Sequence, residues 1–207
     1  MSFELWLAFV AASAVLLAIP GPTVVLVLSY ALSRGRKVAL ATAAGVALGD
    51  FAAMTASLLG LGALVLASAT LFTALKWVGA VYLVWLGIKL LRSRPESGLG
   101  VDISAELPAH GVFAHAAAVT ALNPKSIAFF IAFVPQFLRT EAPLGPQFAI
   151  LIVTFVTLGA LNALAYALLA SGMREKMRRP STRLWLNRAG GGALVGMGLL
   201  TATLRRA

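Results

Sequence analysis

The chain has 207 residues, 60% hydrophobic and only 12% charged, a balance that excludes an ordinary soluble domain. It has no cysteine, which excludes disulfides and thiolate metal sites. The net charge of +10 comes largely from short loops between apolar segments, so it reads as membrane topology rather than as a nucleic-acid surface.

The first predicted helix covers about 5–31, inside a stretch from Leu5 to Ser33 that carries no charge. It is not a cleavable leader: the only early charge is Glu4, and the apolar run is too long for an h-region. Ile19-Pro20-Gly21-Pro22 interrupts it. A second helix covers about 38–66 and carries Asp50, the only carboxylate inside a predicted span. A turn at Ala67-Ser68-Ala69-Thr70 leads to a third helix over about 71–91. Residues 92–111 hold Arg92, Arg94, Pro95, Glu96, Asp102, Glu106 and Pro108 and read as an exposed loop. A fourth helix, about 112–136, is interrupted at Leu122-Asn123-Pro124-Lys125, and a fifth covers about 144–171. A basic loop, 172–188, precedes a short, glycine-rich sixth helix of about 189–204.

This pattern predicts an all-α polytopic integral membrane protein in one transporter domain, 1–207. Its six transmembrane helices form two inverted three-helix repeats, 1–91 and 112–207, with proline-broken helices one and four. The inversion follows from the odd number of helices per half. Twelve of the 17 basic residues fall in loops 32–37 and 172–188 or between Lys89 and Arg94, so loops 32–37, 92–111 and 172–188 are expected on the cytoplasmic side. Arg205 and Arg206 at the opposite end are the part of the count that fits this orientation least.

Lipid punishes an interrupted helix, because freed backbone groups find no water there. Paired breaks in two halves point to a transporter's binding site, whereas a single one reads equally as a proline kink. Asn is a favoured N-cap, and Pro is favoured at the first helical position. Asn123-Pro124 can therefore start a new half-helix in mid-segment, and Gly21-Pro22 has the same form with a weaker cap. Each new N-terminus directs free N–H groups and partial positive charge at what lies before it, a seat for a carboxylate. Lys125 either adds a full positive charge or is itself held by a carboxylate.

The candidate substrate-binding residues are thus Pro20, Gly21, Pro22, Asn123, Pro124 and Lys125, joined by Asn162 as a site-lining group or a helix-to-helix hydrogen bond. Asp50 has three readings: a proton-coupling site or ammonium anchor, a structural partner for Lys125 or the backbone, or a hydrated group near the membrane edge. Gly45 and Gly49 let a neighbouring helix approach closely. Gly190, Gly191, Gly192, Gly196 and Gly198 read as a packing face of helix six. Tyr82, Trp85 and Tyr166 read as packing or interface anchors, and His110 and His115 as solvated loop residues. No metal site or cofactor is expected.

Several pieces together carry a family resemblance: Pro20-Gly21-Pro22, Ser33-Arg34-Gly35-Arg36, Gly45-Val46-Ala47-Leu48-Gly49-Asp50, Gly79-Ala80-Val81-Tyr82-Leu83, Asn123-Pro124-Lys125 and Phe133-Val134-Pro135-Gln136-Phe137. With them the chain resembles the lysine exporter superfamily (LysE/RhtB type), in its branch of homoserine, threonine and homoserine-lactone exporters. The resemblance implies a bacterial inner-membrane exporter of amino acids or close derivatives, driven by the proton gradient. Expected partners are the small-molecule substrate, protons and membrane lipid, with no nucleic acid. Small-residue faces are compatible with a homodimer. One alternative is a cation or metal-ion exporter of the same fold. Another is an intramembrane enzyme, which would need a nucleophile paired with a base; Ser126 and Ser171 have no histidine on an obvious facing helix.

Overall fold

A computed structural model describes residues 1–19, 21–34, 38–92, 108–139 and 141–178, and beyond these 181, 182, 184, 185, 188, 189, 191, 192, 195, 196 and 199. The described residues form helices and their connections, with no strand among them. In chain order the elements are α1 (Phe3–Ala18), α2 (Pro22–Arg34), α3 (Ala39–Ala67), α4 (Ala69–Arg92), α5 (Ala109–Ala121), α6 (Pro124–Ala132), a 3-10 turn (Val134–Phe137) and α7 (Leu144–Arg178).

Among the described residues, two stretches are long and apolar enough to cross a membrane alone: Ala39–Ala63 in α3, with 25 residues, and Leu144–Ala170 in α7, with 27. At about 1.5 Å per residue either exceeds the roughly 30 Å hydrocarbon layer. α1 with α2, and α5 with α6 and the 3-10 turn, each reach that length only as a pair, bent by 55° and 44° respectively. Both bends have the same local cause. Proline disfavours helical backbone in the residue before it. Ile19 (φ −75°, ψ 120°) and Asn123 (φ −68°, ψ 110°) are both extended, and each precedes a proline in the sequence.

α3 is the central element and packs against α2, α4, α5, α6 and α7. It approaches α5 most closely at two glycines. A Cβ on Gly49 would lie 2.6 Å from Ala117 O and 2.6 Å from Thr120 Cβ; one on Gly45 would meet Phe113 O and lie 2.8 Å from Ala116 Cβ. Gly87 of α4 and Gly191 pack mutually, a Cβ on either falling 2.7 Å from the other's carbonyl oxygen.

The core has two parts. One is aromatic, with Phe9 of α1, Phe129 and Phe130 of α6, Phe133 at the end of α6, Phe137 of the 3-10 turn, and Phe155 of α7. Several of these rings meet edge to face, as Phe130 does with Phe155 at 4.8 Å, a favoured aromatic geometry. The other is aliphatic and alanine-rich, drawn from α2, the start of α3, α5 and the end of α7. The two meet at one level in each long element: between Val46 and Ala53 in α3, between Phe155 and Ala163 in α7, and at the breaks.

Several expectations are corrected. α7 continues to Arg178 instead of ending at 171, because Met173-Arg174-Glu175-Lys176-Met177-Arg178 are good helix formers with no glycine or proline among them. Residues 181, 182, 184, 185, 188 and 189 are helical too, so 172–188 is not a plain loop. α5 starts at Ala109, three residues earlier than expected, with Pro108 at its N-cap. His115 is therefore no loop residue; its Nδ1 is 2.8 Å from the hydroxyl of the fully buried Tyr30. Among the late glycines Gly191 packs, whereas Gly192 and Gly196 have nothing within 4 Å of an added Cβ. Pro20, Gly190, Gly198, Arg205, Arg206, most of loop 92–111 and the last residues of helix six lie outside the described residues.

Candidate functional site

The two breaks come together where the aromatic and aliphatic cores meet. Asn123 N-caps α6: its Oδ1 accepts from Lys125 N at 3.0 Å, with Pro124 at the first helical position. The same side chain reaches the other break, Nδ2 donating to Thr23 Oγ1 at 3.1 Å. Thr23 Oγ1 is in turn 3.4 Å from Thr120 Oγ1. The first turns of α2 and α6 are thus pinned to each other by Asn123. Thr23 and Thr120 carried no signal of their own in the sequence beyond a place beside the two breaks.

The end of α1 is satisfied from the far part of the chain. A helix leaves its last four carbonyls without an intrahelical partner. Lys125 Nζ donates to Leu16 O at 2.9 Å and to Ile19 O at 2.7 Å. Asn162 Nδ2 donates to Leu17 O at 3.2 Å, and Tyr166 OH to Ala18 O at 3.0 Å. Four consecutive carbonyls therefore bind three side chains from α6 and α7. A cation at a helix C-terminus also meets the negative end of the dipole. Tyr166, expected as an anchor, is a hydrogen-bond donor to this terminus. The hydrogen bonds of Lys125 go to backbone carbonyls rather than to a carboxylate.

Asp50 is buried, 2% exposed, and near the middle of the Ala39–Ala63 stretch, so the reading of a hydrated residue at the membrane edge is set aside. It is close enough to Lys125 for their charges to attract. Its carboxylate rests on Gly159 of α7, where a Cβ would collide with Oδ2. Only glycine leaves that space. The signal in sequence was weak: Gly159 stands three residues before Asn162, on the same helix face.

These groups line one pocket, with Gly21, Thr23, Asp50, Asn123, Lys125, Ser126, Gly159 and Asn162 around it. It holds about 20 Å³, roughly the room of one water molecule. Of the sequence candidates, Gly21, Asp50, Asn123, Lys125 and Asn162 line it. Pro22 and Pro124 open the two helices beside it, and Pro20 lies outside the described residues. Gly45 and Gly49 stand away from the pocket, on the face of α3 against α5. Among the described residues no group of three His, Asp or Glu side chains is placed to hold a metal ion. Chemically, the pocket offers a carboxylate, an ammonium, two helix N-termini and one helix C-terminus within a small space, the complement of a small zwitterion.

Comparison with known proteins agrees in kind. The chain is 35% identical over 205 residues to an uncharacterized membrane protein of Vibrio cholerae, covering 99% of this chain and 100% of that one. It is 33% identical over 208 residues, all of both chains, to a homoserine/homoserine lactone efflux protein of Salmonella typhimurium. It is 30% identical over 150 residues to a leucine efflux protein of Klebsiella pneumoniae, covering 72% of this chain and 71% of that one. No solved structure matches. The family model described as LysE type translocator matches residues 14–204. The chain belongs to the LysE type translocator family of membrane transporters.

Proposed function

We propose that the protein exports an amino acid or a close derivative across the bacterial cytoplasmic membrane, coupled to the proton gradient. The observation that carries this reading is the meeting of both helix breaks with Asp50 and Lys125 in one buried pocket. The relatives named as homoserine/homoserine lactone and leucine efflux proteins support the same cargo class.

In this reading the chain is a single domain of six transmembrane helices, two inverted three-helix halves, 1–91 and 112–207. They are joined by the 92–111 loop on the cytoplasmic side, together with loops 32–37 and 172–188. The halves rock about the pocket. The substrate carboxylate is met at the first turns of α2 and α6, which Gly21-Pro22 and Asn123-Pro124 open and whose first N–H groups have no intrahelical partner. Asn162 orients the substrate from α7. Asp50 accepts the substrate ammonium, and its protonation from outside resets the site. A proton-coupled site wants one carboxylate that is shielded from bulk water and reachable from either side in turn; the burial of Asp50 on the central helix α3 suits that role.

The test is transport by purified protein in proteoliposomes, with a panel of labelled amino acids and an imposed pH gradient. Gradient-dependent movement of one neutral or basic amino acid is the expected result. No movement of any of them in tight vesicles, with ion movement instead, would replace the cargo.

A further inference from the structure

The pocket as it stands is too small for an amino acid, and a cation is already seated in it. The ammonium of Lys125 is bonded to Leu16 O and Ile19 O at 2.9 and 2.7 Å, beside Asp50. Two carbonyls at the negative end of a helix and a nearby carboxylate are what a substrate ammonium would also choose. We propose that Lys125 is a resident stand-in for the substrate ammonium: it occupies the substrate's ammonium seat at the end of α1 and leaves it when the zwitterion enters.

The exchange is balanced in charge. Extracting Lys125 alone would leave a bare ammonium in a low-dielectric site and empty the carbonyls of α1, both unfavourable. A zwitterion supplies both partners at once: its ammonium takes the carbonyls and Asp50, and its carboxylate receives Lys125. An amine without a carboxylate would displace the lysine and leave it unpaired. A carboxylate without an amine would draw the lysine away and leave the seat empty. The wild-type protein should therefore take molecules with both groups free in preference to lactones or esters, whose carboxyl group is masked. Gly21 leaves space at the moving end of the lysine: a Cβ there would lie 3.3 Å from both Cε and Nζ.

This inference rests on the amino-acid reading of the pocket, and its test is separable from it. Lys125→Ala removes the resident ammonium and leaves space for n-propylammonium, which replaces the lost atoms. The readout is the thermal unfolding of purified protein in detergent. n-Propylammonium should raise the midpoint of Lys125→Ala by several degrees and leave wild type unmoved. Tetramethylammonium, which has no N–H donor, should move neither. The transported amino acid should compete with n-propylammonium in the variant. If Lys125→Ala does not survive purification, Lys125→Met keeps the stem of the side chain out to the Cε position, with ammonium as probe. Equal shifts in wild type and variant, or no amine-specific shift in a folded variant, would overturn the proposal. Amino-acid transport by wild type without amine rescue sinks this inference and leaves the exporter reading intact. Amine rescue without amino-acid transport keeps an ammonium seat at the end of α1 but overturns both the amino-acid cargo and the exchange with it.

Discussion

At the scale of single residues, the pocket depends on atoms that have nowhere else to go. The Asp50 carboxylate fills the space a side chain at Gly159 would need. Gly159→Ala should therefore displace it, costing about 1–3 kcal/mol as overpacking does. The check is a lowered unfolding midpoint together with loss of transport, whereas Gly192→Ala, with open space around it, should change neither. Asp50→Asn keeps the shape and removes the titrating group. Under the proton-coupled reading it should still exchange substrate between the two sides of a vesicle while losing accumulation driven by a pH gradient. Accumulation that survives in this variant would move the coupling role to another group.

At the scale of elements, two kinds of contact set where the helices sit. The first is the capping exchange at the breaks. Asn123→Ala removes an N-cap worth about 1 kcal/mol and the bond to Thr23, worth about another 1 kcal/mol. Its unfolding midpoint should fall accordingly, by roughly 2–4 °C per kcal/mol in a chain of this size, and Asn123→Asp should recover the cap but not the bond donated to Thr23. The second is the glycine approach of α3 to α5. Gly49→Leu cannot be absorbed, because the atoms facing it at 2.6 Å include a backbone carbonyl. The helices must part, and a failure to yield folded protein in detergent, against a mild effect for Gly60→Leu in open space, is the expected outcome.

At the scale of the whole molecule, the proposed topology makes a prediction that the absence of native cysteine renders simple to read. A single cysteine replacing Ser97 in the 92–111 loop should react with a membrane-impermeant thiol reagent only from the cytoplasmic side. One replacing Glu141, between the 3-10 turn and α7, should react only from outside. Labelling of both from one side would break the inverted arrangement of two three-helix halves. The structure also shows how the pocket is enclosed: the aromatic core lies to one side of the breaks and the small aliphatic core to the other.

The sequence by itself determined the class of molecule, the positions of the breaks and five of the residues that line the pocket, Gly21, Asp50, Asn123, Lys125 and Asn162. Each of those is a local signal. A run of apolar residues needs no partner to declare itself a membrane segment, and proline disfavours helical backbone in the residue before it whatever the surroundings. Asn123, Gly21 and Asp50 were conspicuous because each is costly in lipid unless the fold uses it. The tertiary structure alone decided the partners. Lys125, Asn162 and Tyr166 reach the end of α1 across 106 to 148 residues of chain, and nothing in the local pattern says which carbonyl a lysine or tyrosine will find. Gly159 became informative for the same reason: its lack of a side chain matters only once α7 lies against Asp50. Charges and dipoles inside a membrane protein must be satisfied by whatever the fold brings within about 3 Å, and that is settled by packing, not by sequence neighbours.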